Sequence, residues 1–210
     1  MEMINNAQEI KKRINKYEPG YVFTTSDFSD ISDYENRKKI LLRLTNEGMI
    51  RRIMRGVYEY PEYSKFLDEY VAAAPDKVAE AIARQYRWSI VPYGDTALNM
   101  LGISTQVPSV WCYISDGNYK IYEYNNVRIE FKKTTNKEIS KLSYKTALVI
   151  QALKALGKDN IDEIIISKIA CKLNNNEKNK LCTEAMYATS WIYEKIKLIC
   201  KEDMKNARYC

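Results

Sequence analysis

The chain has 210 residues, a formal net charge of +6, 46 % hydrophobic and 29 % charged residues, the balance of a globular rather than a disordered protein. No apolar run approaches the roughly 18–20 residues of a membrane span, and no basic-then-apolar leader opens the chain. Five cysteines without C-x-x-C spacing read as reduced thiols, so a cytoplasmic protein with no membrane partner is expected; the absence of histidine removes His-based triads and nearly all common zinc sites.

Ile4, Ala7, Ile10 and Ile14 recur at helical spacing and predict a helix over residues 3–17, stopped by Pro19-Gly20. After an extended Tyr21-Val22-Phe23, Thr24 and Asp27 form a capping-box pattern that opens a short helix over 25–31. Ser32 with Glu35 opens a third helix lasting to about Asn46. Its inward stripe is Ile40, Leu41 and Leu44; Glu35, Lys38, Lys39, Asn46 and, unusually, Leu42 face out. Gly48 sits where a helix end wants positive φ. Residues 49–54 and 57–60 then make a hairpin around Arg55-Gly56, its alternation broken by the adjacent Ile53 and Met54.

Three helices followed by a hairpin predict a winged helix-turn-helix, in which the third helix enters the major groove and the wing meets the neighbouring backbone. Between Arg37 and Gly56 stand seven basic residues (Arg37, Lys38, Lys39, Arg43, Arg51, Arg52, Arg55) and one acidic, Glu47, a local charge of +6. Arginine offers a fork to phosphate or guanine edges, and lysine a point charge to phosphate. Tyr34 and Asn36, in the first turn of that helix, stand where recognition helices touch bases or phosphates. Double-stranded DNA is therefore the expected partner, with Arg51, Arg52 and Arg55 holding the wing on the backbone. The plainer alternative is a solvated basic surface, or a winged helix that binds protein.

The runs G-Y-V-F-T-T-S-D-F and R-L-T-N-E-G-M-I-R-R-I-M-R-G-V-Y-E-Y-P resemble the N-terminal domain of AbiEi-type antitoxins of type IV toxin–antitoxin systems. Phe23, Thr24, Asp27, Phe28, Arg43, Leu44, Gly48, Ile50, Arg52, Arg55, Gly56 and Tyr58 stand at the family's places. The resemblance continues more weakly to about residue 135. It implies a non-enzymatic autorepressor that binds its own promoter and counteracts a nucleotidyltransferase-like toxin, functionally if not by contact, with no cofactor.

Residues 62–74 are helical in character, and Pro75-Asp76 starts a helix through Trp88. Pro92-Tyr93-Gly94-Asp95 caps a helix to about Leu101. Three strands follow over 109–133, separated by Asp116-Gly117-Asn118 and Asn125-Asn126, and predict an antiparallel meander. Asp116 with Glu130 and Lys132 has the order of a metal-dependent nuclease, two carboxylates for a divalent ion and a lysine to polarise water or phosphate. Glu9-Ile10-Lys11 and Asp203-Met204-Lys205 satisfy the same short pattern, and Asp-Gly is a natural turn, so chance explains it as well.

Helices are expected over 142–156 and 161–173, then, after Asn174-Asn175-Asn176, one long helix over 177–201. From Lys137 onward fourteen basic residues face nine acidic ones, a spread charge that is either solvated surface or a second nucleic-acid contact. The predicted fold is α+β: a DNA-binding domain over 1–62 and an antitoxin domain over 63–210, helical from about 142.

Overall fold

The computed structural model describes residues 2–134 and 141–202, with side chains from residue 6. The side chain of Ile4, the Asp203-Met204-Lys205 run and Cys210 lie outside the described residues. The fold is α+β, with small sheets and a helical C-terminal part. It divides into two compact units, Met1–Trp88 and Ser89–Cys210, so the first takes in the hairpin and helix that follow position 62.

In the first unit α1 (Glu2–Ile14) leads to β1 (Val22–Thr24), a 3-10 turn (Thr25–Phe28), α2 (Tyr34–Asn46) and the hairpin β2 (Arg51–Met54)–β3 (Val57–Glu59). The sheet order is β1-β3-β2, antiparallel throughout. Ile10, Ile14, Phe23, Phe28, Leu41, Leu44 and Ile50 close one core among these elements. The expected second helix is only a four-residue 3-10 turn. Thr24 and Asp27 do form the capping box, with the Thr24 N–H donating to Asp27 Oδ2 at 2.6 Å. The Ser- and Asp-rich residues after it prefer turns to helix, because their side chains compete for backbone groups. The cap of α2 is likewise Asp33 instead of Ser32: Asp33 Oδ1 accepts from the Asn36 N–H at 3.0 Å.

Ile53 is an extra residue in β2, because the pairing steps from Arg52–Tyr58 to Met54–Val57. That bulge is the physical reason for the broken alternation. Gly56 turns the hairpin at φ +80. The helix expected over 62–74 is a second hairpin, β4 (Tyr63–Ser64) and β5 (Glu69–Tyr70). Tyr63 and Tyr70 face each other across it with ring centroids 5.3 Å apart, and the Tyr63 hydroxyl donates to Asp68. Cross-strand aromatic pairing outweighs a weak helical period here. Then α3 (Pro75–Tyr86) packs on β1, where Arg84 donates to the Val22 carbonyl at 2.7 Å and pairs with Asp27 at 3.5 Å.

In the second unit β6 (Ile90–Pro92), α4 (Asp95–Met100), β7 (Trp111–Ser115), β8 (Lys120–Tyr124) and β9 (Val127–Lys133) give the sheet order β6-β7-β9-β8. The expected meander is corrected on one point: β9 lies between β7 and β8 and runs parallel to β7. Asn125 and Asn126 both take positive φ, the two-residue turn that ties β8 to β9 as a tight hairpin. The bend at Asp116 has another use, since its Oδ1 accepts from the Ser89 N–H at 2.9 Å.

The helices are α5 (Tyr144–Leu156), α6 (Glu163–Cys171), α7 (Asn175–Glu184) and α8 (Ser190–Lys201). Asn174 is a cap and not merely a break: it and Glu177 exchange hydrogen bonds of 2.8 and 2.9 Å, so α7 begins earlier than expected. The single long helix is two, parted at Ala185–Tyr187. The parting follows Glu184, whose carboxylate accepts from both the Ser143 N–H and its hydroxyl at 2.8 Å and so caps α5. Of the cysteines expected to be thiols, Cys112, Cys182 and Cys200 are free, whereas Cys171 is disulfide-bonded.

Burial opposes ionisation of Glu184, but hydrogen bonds from Thr146 and Ser143 outweigh it and hold the carboxyl below its ordinary 4.5. A lowered folded value means stabilisation that is complete above 4.5 and is lost as pH falls through the folded value. Glu184→Ala is expected to cost about 1 kcal/mol at pH 7, the worth of a helix cap. In urea unfolding the gap to the wild type narrows as pH drops below 4.5; a gap independent of pH contradicts the capping role.

Candidate nucleic-acid interface

The first unit holds fifteen basic and fourteen acidic residues over 1–88, a net of +1, although residues 37–56 alone carry +6. The positive charge is therefore concentrated on one helix and one hairpin, against an acidic remainder. Solvent-facing positions of α2 are Tyr34, Glu35, Lys38, Lys39, Leu42, Arg43 and Asn46, since Ile40, Leu41 and Leu44 take the core side. Leu42 is 53 % exposed in the middle of that face, an apolar contact among cations.

The nine expected contact residues separate into two groups. Tyr34, Lys38, Lys39, Arg43, Arg52 and Arg55 are exposed, and Asn36 is half-buried in the first turn of α2. Arg37 is engaged elsewhere: it is half-buried and donates to the Ser32 carbonyl, bracing the start of its own helix. Arg51 stands directly across from Glu59 in the β2–β3 pairing and donates to its carboxylate. It also donates to the Val71 carbonyl at 2.5 Å and lies over the Tyr70 ring at 5.9 Å. Glu59 is only 1 % exposed, so Arg51 neutralises a buried carboxylate and ties β5 to the sheet.

Among the exposed cations, Lys38 pairs with Glu35 at 3.9 Å, and Arg43 with Glu47 at 3.6 Å. Glu47 also receives Lys11 at 3.9 Å, so the one acidic residue of the stretch is held between two cations. Such exposed pairs are worth at most about 1 kcal/mol and yield readily to a phosphate. Among the described residues, Lys39, Arg52 and Arg55 have no acidic partner within ion-pair distance.

Tyr58 links the helix to the hairpin. Burial pushes its phenol above the ordinary value, while the Arg52 guanidinium pulls it back and the Tyr34 phenol adds to the rise. Tyr34 at the start of α2 and Arg52 on β2 thus come within electrostatic reach of one buried ring. Two further lysines, Lys12 and Lys16, line a groove of about 480 Å³ along α1 with Gln8, Glu9 and Arg13. Their i, i+4 spacing in a predicted helix is the signal that marks them. Arg13 itself is taken: it grips Asp30 with two hydrogen bonds of 2.8 and 2.7 Å and holds that carboxyl down to about 2.

The Asp116, Glu130 and Lys132 order does not become one group. Asp116 extends β7 by one position, opposite residue 134 by the parallel register, whereas Glu130 stands opposite Cys112. Four residue rises of about 3.3 Å separate their two backbone positions by about 13 Å along the sheet. Lys132 is 4.0 Å from Glu130 but is also held by Tyr93, whose phenol hydrogen bond raises the amine. Among the described residues no three His, Cys, Asp or Glu side chains gather as a metal-holding group, and no helix is long and apolar enough to cross a membrane.

Fold and surface together define an α+β protein with exposed cations on one helix and one hairpin. A family model described as "Family of unknown function (DUF6088)" matches residues 9–181. The chain belongs to that family, and the match runs from α1 into α7, across both compact units. Comparison with curated proteins gives no match.

Arg51→Ala is expected to lower stability by about 1.5–3 kcal/mol, because it strands the Glu59 carboxylate. Arg52→Ala changes stability by less than about 0.5 kcal/mol, as exposed substitutions do. Denaturant midpoints measured side by side check the division; equal midpoints contradict it.

Proposed function

We propose that this chain is a DNA-binding antitoxin and autorepressor of the AbiEi type, with Met1–Trp88 working as a winged helix on duplex DNA. The element order α1, β1, turn, α2, β2, β3 and the sheet order β1-β3-β2 support that reading. So does the AbiEi-like run of residues through Gly48, Arg52, Arg55 and Gly56. In this reading α2 lies in the major groove with Tyr34, Lys38, Lys39, Leu42 and Arg43 toward the DNA. Lysines there meet phosphates, Arg43 takes a phosphate or a guanine edge, and Leu42 suits a thymine methyl. Arg52 and Arg55 hold the hairpin on the backbone, while Arg37 and Arg51 keep helix and hairpin in shape.

The observation that carries the proposal is the set of exposed cations without acidic partners, Lys39, Arg52 and Arg55, on a +6 stretch of a unit whose net charge is +1. Phosphates reward that arrangement through counterion release. Repression of the chain's own promoter and relief of a nucleotidyltransferase-like toxin complete the function, and cytoplasmic residence goes with it.

Replacing Arg52 and Arg55 together by alanine removes two phosphate contacts. The slope of log affinity against log salt is expected to flatten by about 1.8, at 0.9 per contact. Mobility-shift titrations on the upstream DNA at several salt concentrations read that change. An unaltered slope, or no binding by the wild type, overturns the assignment.

A further inference from the structure

Helices α7 and α8 bring together two thiols that DNA binding by the first unit does not use. Cys182 and Cys200 are free and half-buried, whereas Cys171 is already disulfide-bonded and offers no thiol. The end of α8 is fastened to the start of α7, where Lys178 Nζ donates to the Glu202 carbonyl at 2.7 Å. At the same level Cys200 Sγ donates to the Lys178 carbonyl at 3.3 Å.

That carbonyl fixes where the other sulfur lies. Lys178 stands four residues, one helical turn, before Cys182. A helical side chain leans back over the preceding turn, so the Cys182 thiol is carried toward the carbonyl that Cys200 already touches. The two cysteine side chains come within hydrogen-bonding reach of each other. A disulfide bridges Cα atoms about 4.4–6.8 Å apart, and contact between a sulfur of α8 and the backbone of α7 suits so short a span. Asn179 and Thr183, beside Cys182 on α7, are exposed, which opens the pair to a small reagent.

The two thiols are not equivalent. Burial, and then the Cys182 side chain beside it, push the Cys200 thiol up to about 12. Cys200 therefore keeps its proton, and Cys182 attacks first. Once Cys182 is blocked in a mixed disulfide its share of that rise is gone, while the Lys178 ammonium still favours ionisation of Cys200.

We propose that Cys182 and Cys200 are a reversible dithiol that a low-molecular-weight disulfide, such as oxidised glutathione, closes into a bridge between α7 and α8. The Cys182 thiolate bonds to one glutathione sulfur and expels the other as a thiolate. Cys200 then attacks the Cys182 sulfur and expels the second glutathione. Two protein thiols are oxidised, one small disulfide is reduced to two thiols, and the protein's two protons pass to them. The bridge ties α7 to α8 around the segment Ala185–Tyr187. None of these residues belongs to the first unit, so the proposal stands apart from the DNA-binding reading.

Incubation of the full chain in graded mixtures of reduced and oxidised glutathione, followed by alkylation and peptide mapping by mass spectrometry, tests it. A linked Cys182–Cys200 peptide is expected as the main product, with Cys112 left as a thiol and the link undone by excess reduced glutathione. In urea the bridged chain unfolds at a higher midpoint, its unfolding constant lowered about a hundredfold by closure of a loop of this size. Cys200→Ala stops at a glutathione mixed disulfide on Cys182, with no comparable rise in midpoint. A wild type that also stops at the mixed disulfide overturns the proposal. So does a folded chain whose Cys182 and Cys200 stay unmodified up to millimolar oxidised glutathione, or a bridge that joins two chains instead of two helices.

Discussion

A carboxylate buried in a strand must find a cation or lose its charge, and Glu59, at 1 % exposure, has Arg51 directly across the β2–β3 pairing. That contact commits one of the three hairpin arginines to the protein. Through the Val71 carbonyl and the Tyr70 ring, the same guanidinium also fastens the second hairpin to the first sheet. Alternation along the strand then sends Arg52 outward, and the bulge at Ile53 bends the strand before Arg55 reaches the turn. Two arginines are left facing solvent because the first one is used within. Arg37 does the equivalent at the start of α2, turned back on the Ser32 carbonyl. The basic stretch is thus partly scaffold and partly surface, and only the surface part belongs to the proposed DNA face.

The parts legible in the sequence are those where local chemistry and tertiary packing agree. Ile40, Leu41 and Leu44 mark the buried side of α2, Gly48 marks a positive φ, Arg55-Gly56 marks the turn of the first hairpin, and Asn125-Asn126 marks a turn; each stands so in the structure. The misread parts depend on partners distant in sequence. Nothing near Glu184 announces that it caps α5 from forty-one residues away and ends α7 there. Insertion of β9 between β7 and β8 is decided by which strand buries Ile129 and Phe131, not by the turns alone. The second hairpin hid behind a weak helical period because Tyr63 and Tyr70 are cross-strand partners only once the chain has turned. At the candidate site the residue types were legible, but their division into braces and free cations was not, since Glu59 reads from sequence as an ordinary strand-end acid.

Membership of the family of unknown function spans both units, from residue 9 to residue 181, so an account of the protein has to use both. The first unit offers charge in one place; the second holds a cavity of about 790 Å³ walled by Leu142, Ile150, Gln151, Glu184 and Ile192.

The most direct measurement is lysine footprinting by an amine-reactive reagent, with and without duplex DNA from upstream of the coding region, read by mass spectrometry. The account predicts strong protection of Lys38 and Lys39 by the duplex, with Lys65, on the second hairpin, labelled equally in both states. Equal labelling of Lys38 and Lys39 with and without bound duplex would contradict the assignment of α2 as the DNA-contacting helix.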